Sequence, residues 1–477
     1  MDNLSPDPSV PPGPWWPELK ATWRGLATSR RRTFVAIWCA TLVAFGSQFA
    51  EMPWRSALRG TDNSFYYFWL RSLMVDGDWS FRNDIQECNT LPEDFRREIL
   101  LAPPTPTGRQ PNKYGVGWAL LSAPAYLAAD GMVAAGRTLG VWTLKRDGYN
   151  AVYQIFIYTW HFFLAQAGLV LAWRVVSRWC GDRESALLGV GLIWVASPLP
   201  YYQTFKLSLS HSAAFSAIAL MCWGLMRTQD NRGKTGPWLW AGIGLGLAMI
   251  LRFQLGVFAV IPAWVWLQGL RQSGAYDAGR AAGAFVIGLL PLVGLQLFAW
   301  HVVYGSWLLS PYGAEGESFY WANPHLLNVL FAARHGLFYW HPLLLVGAAG
   351  LVWLVWRERG RGFLAAGLLA VLITLYVNAA WWCWWFASSF GQRACEAVCL
   401  FFMGGLAWVW RARPGWRPTL WVVYLVGGVW NFYIMALFYT TAISRDAPVT
   451  WGEMLHAGQR CWEVVARFFQ NAGWWHP

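Results

Sequence analysis

The sequence predicts an all-α polytopic membrane protein, and three observations support this fold class. Of the 477 residues, 56% are hydrophobic and 13% are charged, whereas soluble globular domains carry about 25% charged residues. About eleven apolar stretches approach the roughly 20 residues that a helix needs to cross a bilayer. Basic residues collect in alternate loops between these stretches, as they do in chains with a fixed membrane orientation. The composition excludes a disordered chain and, with 8 Cys, a disulfide-rich scaffold.

The predicted spans follow one another along the chain from residue 33. The first is predicted to be a signal anchor, because 32 residues with several Pro precede it and no cleavable signal peptide is recognisable. In chain order the spans are residues 33–50, 150–173, 185–200, 207–226, 237–251, 254–270, 281–303, 337–356, 362–380, 395–410 and 418–440.

Lys and Arg predict the orientation, because loops that carry them are retained in the cytoplasm. A basic group precedes the first span, so the N-terminal tail, residues 1–32, is predicted to be cytoplasmic. Every second loop is then also basic, and the net charge of +12 reflects topology and not a nucleic-acid partner. The cytoplasmic basic residues are Lys20, Arg24, Arg30, Arg31, Arg32, Arg178, Arg183, Arg227, Arg232, Lys234, Arg271, Arg280, Arg357, Arg359, Arg361, Arg411, Arg413 and Arg417.

The extramembrane parts are one long loop and a tail. Residues 115–131 are apolar but short for a span, and counting them as one would break the charge alternation, so they are predicted to form an interfacial or re-entrant helix. Residues 51–149 then form the first external loop of a transmembrane domain, residues 33–441. The tail, residues 442–477, is predicted to lie on the outer membrane surface, because these apolar residues have helical spacing: Trp451, Leu455, Trp462, Val465 and Phe469.

Polar residues that lipid would not tolerate collect on the external side, where they indicate a candidate site. Acids, bases and aromatic residues from four external segments are expected to converge on one cavity at the outer face. The charged and aromatic residues concerned are Asp62, Asp76, Asp78, Asp84, Lys113, Tyr114, Tyr201, Tyr202, Lys206, His211, Arg334, His335 and Arg393.

Several of these segments resemble motifs of the GT-C class of polytopic glycosyltransferases. The likeness is to branches similar to the aminoarabinose transferase, the protein O-mannosyltransferases and the rhizobial galacturonosyltransferases. Many relatives carry a second acid beside the first acid of the loop, where this chain has Asn63. The motifs are Asp62, Ser64-Phe65-Tyr66-Tyr67, Asp76-Gly77-Asp78, Asn112-Lys113-Tyr114-Gly115, His335-Gly336-Leu337-Phe338 and Phe390-Gly391-Gln392-Arg393.

The resemblance implies a GT-C-like fold and inverting transfer of a sugar from a polyprenyl-phosphate donor to a lipid, glycan or protein acceptor. It implies an enzyme of the bacterial inner membrane, surrounded by membrane lipids, with a periplasmic active site. Asp62 is the predicted catalytic base, because a carboxylate can accept the proton of an acceptor hydroxyl. A divalent cofactor, Mg²⁺ or Mn²⁺, would be held by Asp62 and Asp78. The predicted substrate-binding residues, some of which would stabilise the leaving phosphate, are Tyr66, Lys113, Tyr114, Lys206, His211, Arg334, His335 and Arg393.

Most of these residues also have a purely structural interpretation. Asp62 would cap a helix, Asp76 and Asp78 would form an ordinary turn, and Lys113 would anchor the interfacial helix. Asp84 and Glu87 are expected on a solvated loop. For the remaining positions, the structural interpretations are a packed His211, an Arg252 that caps a helix end or pairs locally, an Arg393–Glu396 ion pair, and an outer aromatic belt of Trp381, Trp382, Trp384 and Trp385.

Three further classes of protein fit parts of the sequence. A transporter or flippase of lipid-linked saccharides is the main rival to the transferase, although transporters often have repeated halves and broken helices, and neither pattern is recognisable. An O-antigen ligase or polymerase depends mainly on Arg and His, and the acidic first loop argues mildly against it. A noncatalytic scaffold would have no evident use for external Arg, Asp and His.

Overall fold

The structure is a computed structural model that describes residues 15–50, 60–88, 91–230, 234–357 and 362–471. These residues form helices joined by turns and loops, with an isolated bridge between Phe319 and Trp381. The chain divides into two compact units. Unit 1 contains the described parts of residues 1–31, 173–201 and 319–477, and unit 2 those of residues 32–172 and 202–318.

Each predicted span falls on helical structure. The helices that lie mainly in unit 2 are Thr28–Ala50, Thr61–Arg71, Arg82–Glu87, Glu93–Leu101, Gly117–Thr138, Ala151–Cys180, His211–Asp230, Gly236–Leu251, Val260–Tyr304 and Pro311–Ala314. The helices of unit 1 include Trp15–Gly25, Arg183–Val195, Leu326–Phe331, Leu337–Trp340, Leu344–Arg357, Phe363–Ala380, Cys399–Ala412, Arg417–Tyr439, Trp451–His456 and Gly458–Asn471.

The helices have the length and composition of an integral membrane protein. Large apolar side chains project from their outer faces: Val43 is 73% exposed, Ile287 67% and Val429 73%. Within the described ranges, six helical segments are long and apolar enough to cross a membrane, and three shorter ones are also apolar. The count of about eleven spans stays a prediction. The six are Gly117–Thr138, Ala151–Cys180, Phe253–Arg271, Asp277–Tyr304, Phe363–Ala380 and Pro414–Tyr439, and the three are Gly236–Leu251, Leu344–Arg357 and Cys399–Ala412.

The longest helical element, Val260–Tyr304, is not straight. The indole nitrogen of Trp266 donates a hydrogen bond to the carbonyl oxygen of Ala278 at 2.9 Å. In a straight α-helix, residues twelve positions apart are separated by about 18 Å. The element therefore bends sharply between these two residues, as expected of two spans whose connection carries Arg271 and Arg280.

The helix predicted at residues 115–131 is longer in the structure than the apolar stretch that predicted it. It runs over Gly117–Thr138 and includes Pro124. Its 22 residues meet the length and composition of a span, so the prediction that it is too short for one was wrong. Its placement in the membrane interface stays a prediction that depends on the charge alternation alone.

Two glycines let the start of this helix approach the helix Gly236–Leu251. A Cβ on Gly115 would lie 2.0 Å from the carbonyl oxygen of Ile250, and one on Gly117 would lie 2.7 Å from the amide nitrogen of Leu251. Both distances are much shorter than a van der Waals contact. A larger residue at either position would therefore push the start of this helix and the preceding segment, residues 112–114, away from the helix Gly236–Leu251.

The segment predicted to be the first external loop is organised around a buried arginine. Arg71 forms ion pairs with Asp76 at 2.9 Å, Asp84 at 2.8 Å and Glu87 at 2.8 Å, and its guanidinium lies 4.7 Å from the ring centre of Tyr149. The Asp84 side chain is fully buried, so its expected position on a solvated loop was wrong. Burial raises the pKa of Asp84 to about 7 despite the hydrogen bond from Arg71.

In unit 1, small residues allow close helix packing, and the tail forms two helices. A Cβ on Gly405 would lie 2.0 Å from the carbonyl oxygen of Gly347, so Leu344–Arg357 and Cys399–Ala412 pack backbone to backbone.

In the tail, Trp451 is 49% and Trp462 62% exposed, which leaves apolar surface for lipid. The side chain of Phe469, part of the predicted apolar face, lies outside the described residues. The interfacial role of the tail stays a prediction.

Candidate functional site

Asp62 lies in the first turn of the helix Thr61–Arg71. Gly60 before it has a φ of 111°, a backbone conformation that favours glycine, and this residue turns the chain into the helix. The hydroxyl of Tyr114 donates a hydrogen bond to Oδ1 of Asp62 at 2.6 Å. A helix N-terminus stabilises negative charge, and the tyrosine hydroxyl fixes the orientation of the carboxylate.

The segment that contains Tyr114 is held against the same helix by its neighbours. The side-chain amide of Asn112 donates to the carbonyl oxygen of Phe65 at 2.9 Å, and its oxygen accepts from the backbone N–H of Tyr114 at 3.2 Å. The indole of Trp69 donates to the carbonyl oxygen of Tyr114 at 3.0 Å. The ring centres of Tyr66 and Tyr114 are 5.0 Å apart. Two of the predicted substrate-binding tyrosines therefore lie together beside Asp62.

Lys113 is paired with two carboxylates that were not among the candidates predicted from the sequence. Its ammonium lies 2.5 Å from Glu317 and 3.3 Å from Glu315. Burial lowers the pKa of Lys113, but the two carboxylates outweigh it and raise the pKa overall. The signal was present in the sequence as two acids in one external segment, Ala314-Glu315-Gly316-Glu317, but only the fold shows that Lys113 neutralises them.

Tyr312, a further residue that the sequence patterns did not indicate, connects these groups. Burial raises its pKa, and the charges of Arg252, Asp62 and Glu317 act on its hydroxyl. The ammonium of Lys113 lies 5.7 Å from the centre of its ring. We call this group of unit 2 the Asp62 cluster; it contains Asp62, Tyr66, Lys113, Tyr114, Tyr312, Glu315 and Glu317.

His211 and Arg252 lie close to the edge of the Asp62 cluster. The hydroxyls of Tyr66 and Ser210 are 2.9 Å apart, and the next residue, His211, is buried. The guanidinium of Arg252 contacts the ring nitrogens of His211, and Arg252 is also the C-cap of its helix. The C-cap position confirms the helix-end role predicted for Arg252, whereas the contact with His211 joins residues 41 positions apart. Lys206 is half-buried on the turn before the helix His211–Asp230.

The structure does not bring Asp62 and Asp78 together. Oδ1 of Asp78 accepts hydrogen bonds from the hydroxyl of Ser72 at 2.8 Å and from the backbone N–H of Ser80 at 2.9 Å. Ten helical residues separate Asp62 from Ser72, or about 15 Å along the axis. In the part of the chain that the structure describes, no group of three or more His, Cys, Asp or Glu side chains is arranged to hold a metal ion. These two carboxylates therefore do not fit the predicted Mg²⁺ or Mn²⁺ site.

Unit 1 brings the remaining predicted residues together. The guanidinium of Arg334 stacks on Trp385 at 3.9 Å from the ring centre. His335 is fully buried, and its Nδ1 donates to the carbonyl oxygen of Trp385 at 2.8 Å. Burial, together with the charges of Arg334 and Arg393, lowers the pKa of His335 to about 4. That residues of all four external segments line one cavity stays a prediction.

Comparison with known proteins supports one architecture. No family model and no curated protein sequence matches the chain. Among solved structures, ArnT from Cupriavidus metallidurans bound to undecaprenyl phosphate is similar, with a TM-score of 0.50 and 12% identity over 94% of this chain and 73% of that chain. ArnT is a GT-C glycosyltransferase. The chain has a GT-C-like fold.

Two other solved structures resemble this GT-C-like chain more weakly. The apo form of the same ArnT has a TM-score of 0.49 and 11% identity over 92% of this chain and 76% of that chain. The archaeal oligosaccharyltransferase AglB from Archaeoglobus fulgidus, in complex with an inhibitory peptide and a dolichol-phosphate, has a TM-score of 0.40 and 13% identity, over 91% and 55% of the respective chains. At these identities the likeness shows the fold alone, so the chemistry is argued from the site.

The Asp62 cluster of this GT-C-like chain combines three chemical capacities. An oriented carboxylate can accept a proton, aromatic faces of Tyr66, Tyr114 and Tyr312 can contact a sugar ring, and the ammonium of Lys113 can contact an anion. The carboxylates of Glu315 and Glu317 leave the cluster net negative. An anionic ligand must therefore compete with them for Lys113.

Proposed function

We propose that the chain is an inverting glycosyltransferase that moves a sugar from a polyprenyl-phosphate donor to an envelope acceptor on the non-cytoplasmic face of a bacterial plasma membrane. The observation that carries the proposal is the oriented carboxylate of Asp62, held by Tyr114 at 2.6 Å in an aromatic cluster. The GT-C-like fold and the undecaprenyl phosphate bound to ArnT support the donor class.

Asp62 acts as the general base. A hydroxyl is a poor nucleophile until its proton is accepted, and a carboxylate within hydrogen-bond reach of it can do so. The acceptor oxygen bonds to the anomeric carbon as the bond from that carbon to the phosphate oxygen breaks. The proton passes to Asp62, and the electron pair leaves with the polyprenyl phosphate. A single displacement of this kind inverts the anomeric configuration.

The departing phosphate carries developing negative charge, which cationic side chains stabilise. In unit 2 the proposed partners of the phosphate are Lys113, His211 and Lys206, together with Arg252. Glu315 and Glu317 hold Lys113 at 3.3 and 2.5 Å, so the donor phosphate competes with these carboxylates when it binds. In unit 1, Arg334, His335 and Arg393 are proposed to contribute to substrate binding.

The acceptor is proposed to be a lipid, a glycan or a protein of the cell envelope. The acceptor is proposed to lie against the aromatic rings of Tyr66, Tyr114 and Tyr312 beside Asp62, and the polyprenyl tail of the donor to lie among membrane lipids. Because Asp62 and Asp78 do not converge, the proposed mechanism contains no step that depends on a metal at that pair.

The test is sugar transfer by the purified chain in detergent, from a polyprenyl-phosphate sugar to an envelope extract. Replacement of Asp62→Asn removes the proton acceptor and keeps the size of the side chain, and we expect transfer to fall by about 10²–10⁴-fold. The matched control is Asp94→Asn, which removes the same charge from an exposed position on the helix Glu93–Leu101 and should leave transfer unchanged. Full transfer by Asp62→Asn would refute the assignment of the base.

A further inference from the structure

His335 carries an unused hydrogen-bond acceptor. A backbone carbonyl can only accept, so Nδ1 of His335, 2.8 Å from the oxygen of Trp385, must carry the hydrogen. In the neutral ring Nε2 is then an acceptor. Nε2 is buried and has no hydrogen-bond partner in the described residues. Because buried polar atoms in native proteins are nearly always hydrogen-bonded, this atom indicates a place for a donor from outside the chain.

A second unused acceptor lies on the neighbouring loop. Gln392 is fully buried, and its Nε2 donates to the carbonyl oxygen of Trp384 at 3.1 Å, one residue before the carbonyl that holds His335. Oε1 of Gln392 has no partner in the same described ranges. Consecutive carbonyls therefore orient two side chains, each with a buried acceptor.

Next to His335 lies a cation that is available to a ligand. Arg334 is half-exposed and stacks on Trp385, and the structure shows no ion pair between it and a described carboxylate. Lys113 differs, because two carboxylates neutralise it. A planar guanidinium with its charge uncompensated is well suited to a phosphate group.

The backbone around these residues is strained. Among the described residues, four other than Gly have a positive φ, and three of them lie here: His335 at 62°, Phe386 at 60° and Ala387 at 50°. Such conformations cost free energy and concentrate at ligand-binding and active sites. The hydrogen bond from Nδ1 to the carbonyl oxygen of Trp385 fixes the direction of the His335 ring within this segment.

We propose that Arg334, His335 and Gln392 of unit 1 bind a sugar phosphate, with the phosphate on Arg334 and sugar hydroxyls donating to Nε2 of His335 and Oε1 of Gln392. This inference rests on the proposed function and names the part of the substrate that these residues recognise. The shared chemistry is a phosphate ester beside hydroxyl groups, whether the sugar phosphate is lipid-linked or free. His335 has no exposed surface, so we expect the half-exposed Arg334 to move when the ligand enters.

The experiment measures equilibrium binding to the purified full-length chain in detergent. The probes are glucose 1-phosphate and galactose 1-phosphate, inorganic phosphate, and a polyprenyl-phosphate sugar. We expect at least one sugar phosphate to bind about 10-fold more tightly than phosphate, as hydrogen bonds from its hydroxyls to two buried acceptors would give. Tighter binding of the lipid-linked probe identifies a lipid-linked donor, and equal binding identifies a free sugar phosphate; both results support the site.

The variants separate the two contacts. Arg334→Gln should weaken phosphate and sugar phosphate alike, by about 10-fold. His335→Asn should weaken the sugar phosphate and leave phosphate binding unchanged, and Asn tolerates the positive φ of this position. The matched controls are Arg460→Gln and His456→Asn, both exposed in the tail, and they should bind every probe as the parent does. A merely structural role for His335 would affect both probes equally.

Two results would overturn the inference: sugar phosphates that bind no more tightly than phosphate, or a His335→Asn variant that keeps the selectivity of the parent. ¹⁵N NMR of histidine-labelled protein gives a second measurement, in which the Nε2 resonance of His335 should move when the sugar phosphate binds. The binding tests are repeated with the Asp62→Asn variant, and its sugar transfer is measured in parallel. If that variant still transfers sugar while His335→Asn loses selectivity, the catalytic assignment fails and this site stands.

Discussion

At the scale of single residues, the two cations Lys113 and Arg334 have different surroundings. Lys113 lies between Glu315 and Glu317, whereas the charge of Arg334 rests on the face of Trp385. An anion that binds Lys113 would have to compete with these two carboxylates, whereas no described carboxylate forms an ion pair with Arg334.

His335 makes the stability of the chain depend on pH. Burial lowers its pKa from 6.5 to about 4, so between these values the unfolded chain binds a proton that the folded chain does not. The free energy of unfolding therefore decreases as the pH falls through this window, by up to about 3 kcal/mol. We expect the melting temperature of the parent in detergent to fall more between pH 7 and pH 4 than that of His335→Asn.

The control for this titration is His456→Asn, because His456 is exposed in the tail. It should keep the pH dependence of the parent. Equal slopes for the parent and His335→Asn would show that His335 does not titrate in the way its burial predicts.

At the scale of elements, the described part of residues 51–149 depends on one buried cation. Arg71 is 3% exposed and balances three carboxylates, of which Asp84 is fully buried. Arg71→Gln leaves Asp84 without its ion-pair partner, and we expect it to lower the free energy of unfolding by about 3–5 kcal/mol. The double variant Arg71→Gln/Asp84→Asn should recover part of the loss, because it also removes the stranded charge. Thermal unfolding and limited proteolysis of the loop measure the loss in the single variant and the recovery in the double variant.

The matched control for Arg71 is another arginine of the same loop. Arg146 pairs with Asp130 at the surface, where ion pairs contribute little, so Arg146→Gln should unfold at nearly the temperature of the parent. An Arg71→Gln variant as stable as Arg146→Gln would contradict the buried ion-pair network.

The apolar stretches predicted where helices occur, because the hydropathy and the length of a segment can be determined from that segment alone. Contacts between segments that are far apart in the sequence could not be predicted in this way. Motif resemblance grouped Asp62, Tyr66 and Tyr114, but Glu315 and Glu317 became visible only when the fold brought them to Lys113. The expectation for Asp84 failed for the same reason, since its burial depends on Arg71, thirteen positions earlier, and not on local polarity.

At the scale of the whole molecule, the charge alternation makes a prediction about topology. A reporter fused at residue 230 should be cytoplasmic and one at residue 320 external, because Lys and Arg are retained inside. If the helix Gly117–Thr138 crossed the membrane, both labels would be reversed. Reversed labels would contradict the external location of the candidate site, and the helix would then count as a span.

We propose that the chain transfers a sugar and does not merely move its lipid-linked carrier. Transport needs two compartments, whereas transfer proceeds in detergent solution. The most direct measurement therefore follows a polyprenyl-phosphate sugar, labelled in the sugar, with the purified chain and an envelope extract in detergent. We predict that the label passes to an acceptor while one polyprenyl phosphate is released for each sugar transferred. An intact donor in detergent, together with movement of that donor across the bilayer when the same protein is placed in vesicles, would contradict the claim and identify a transporter.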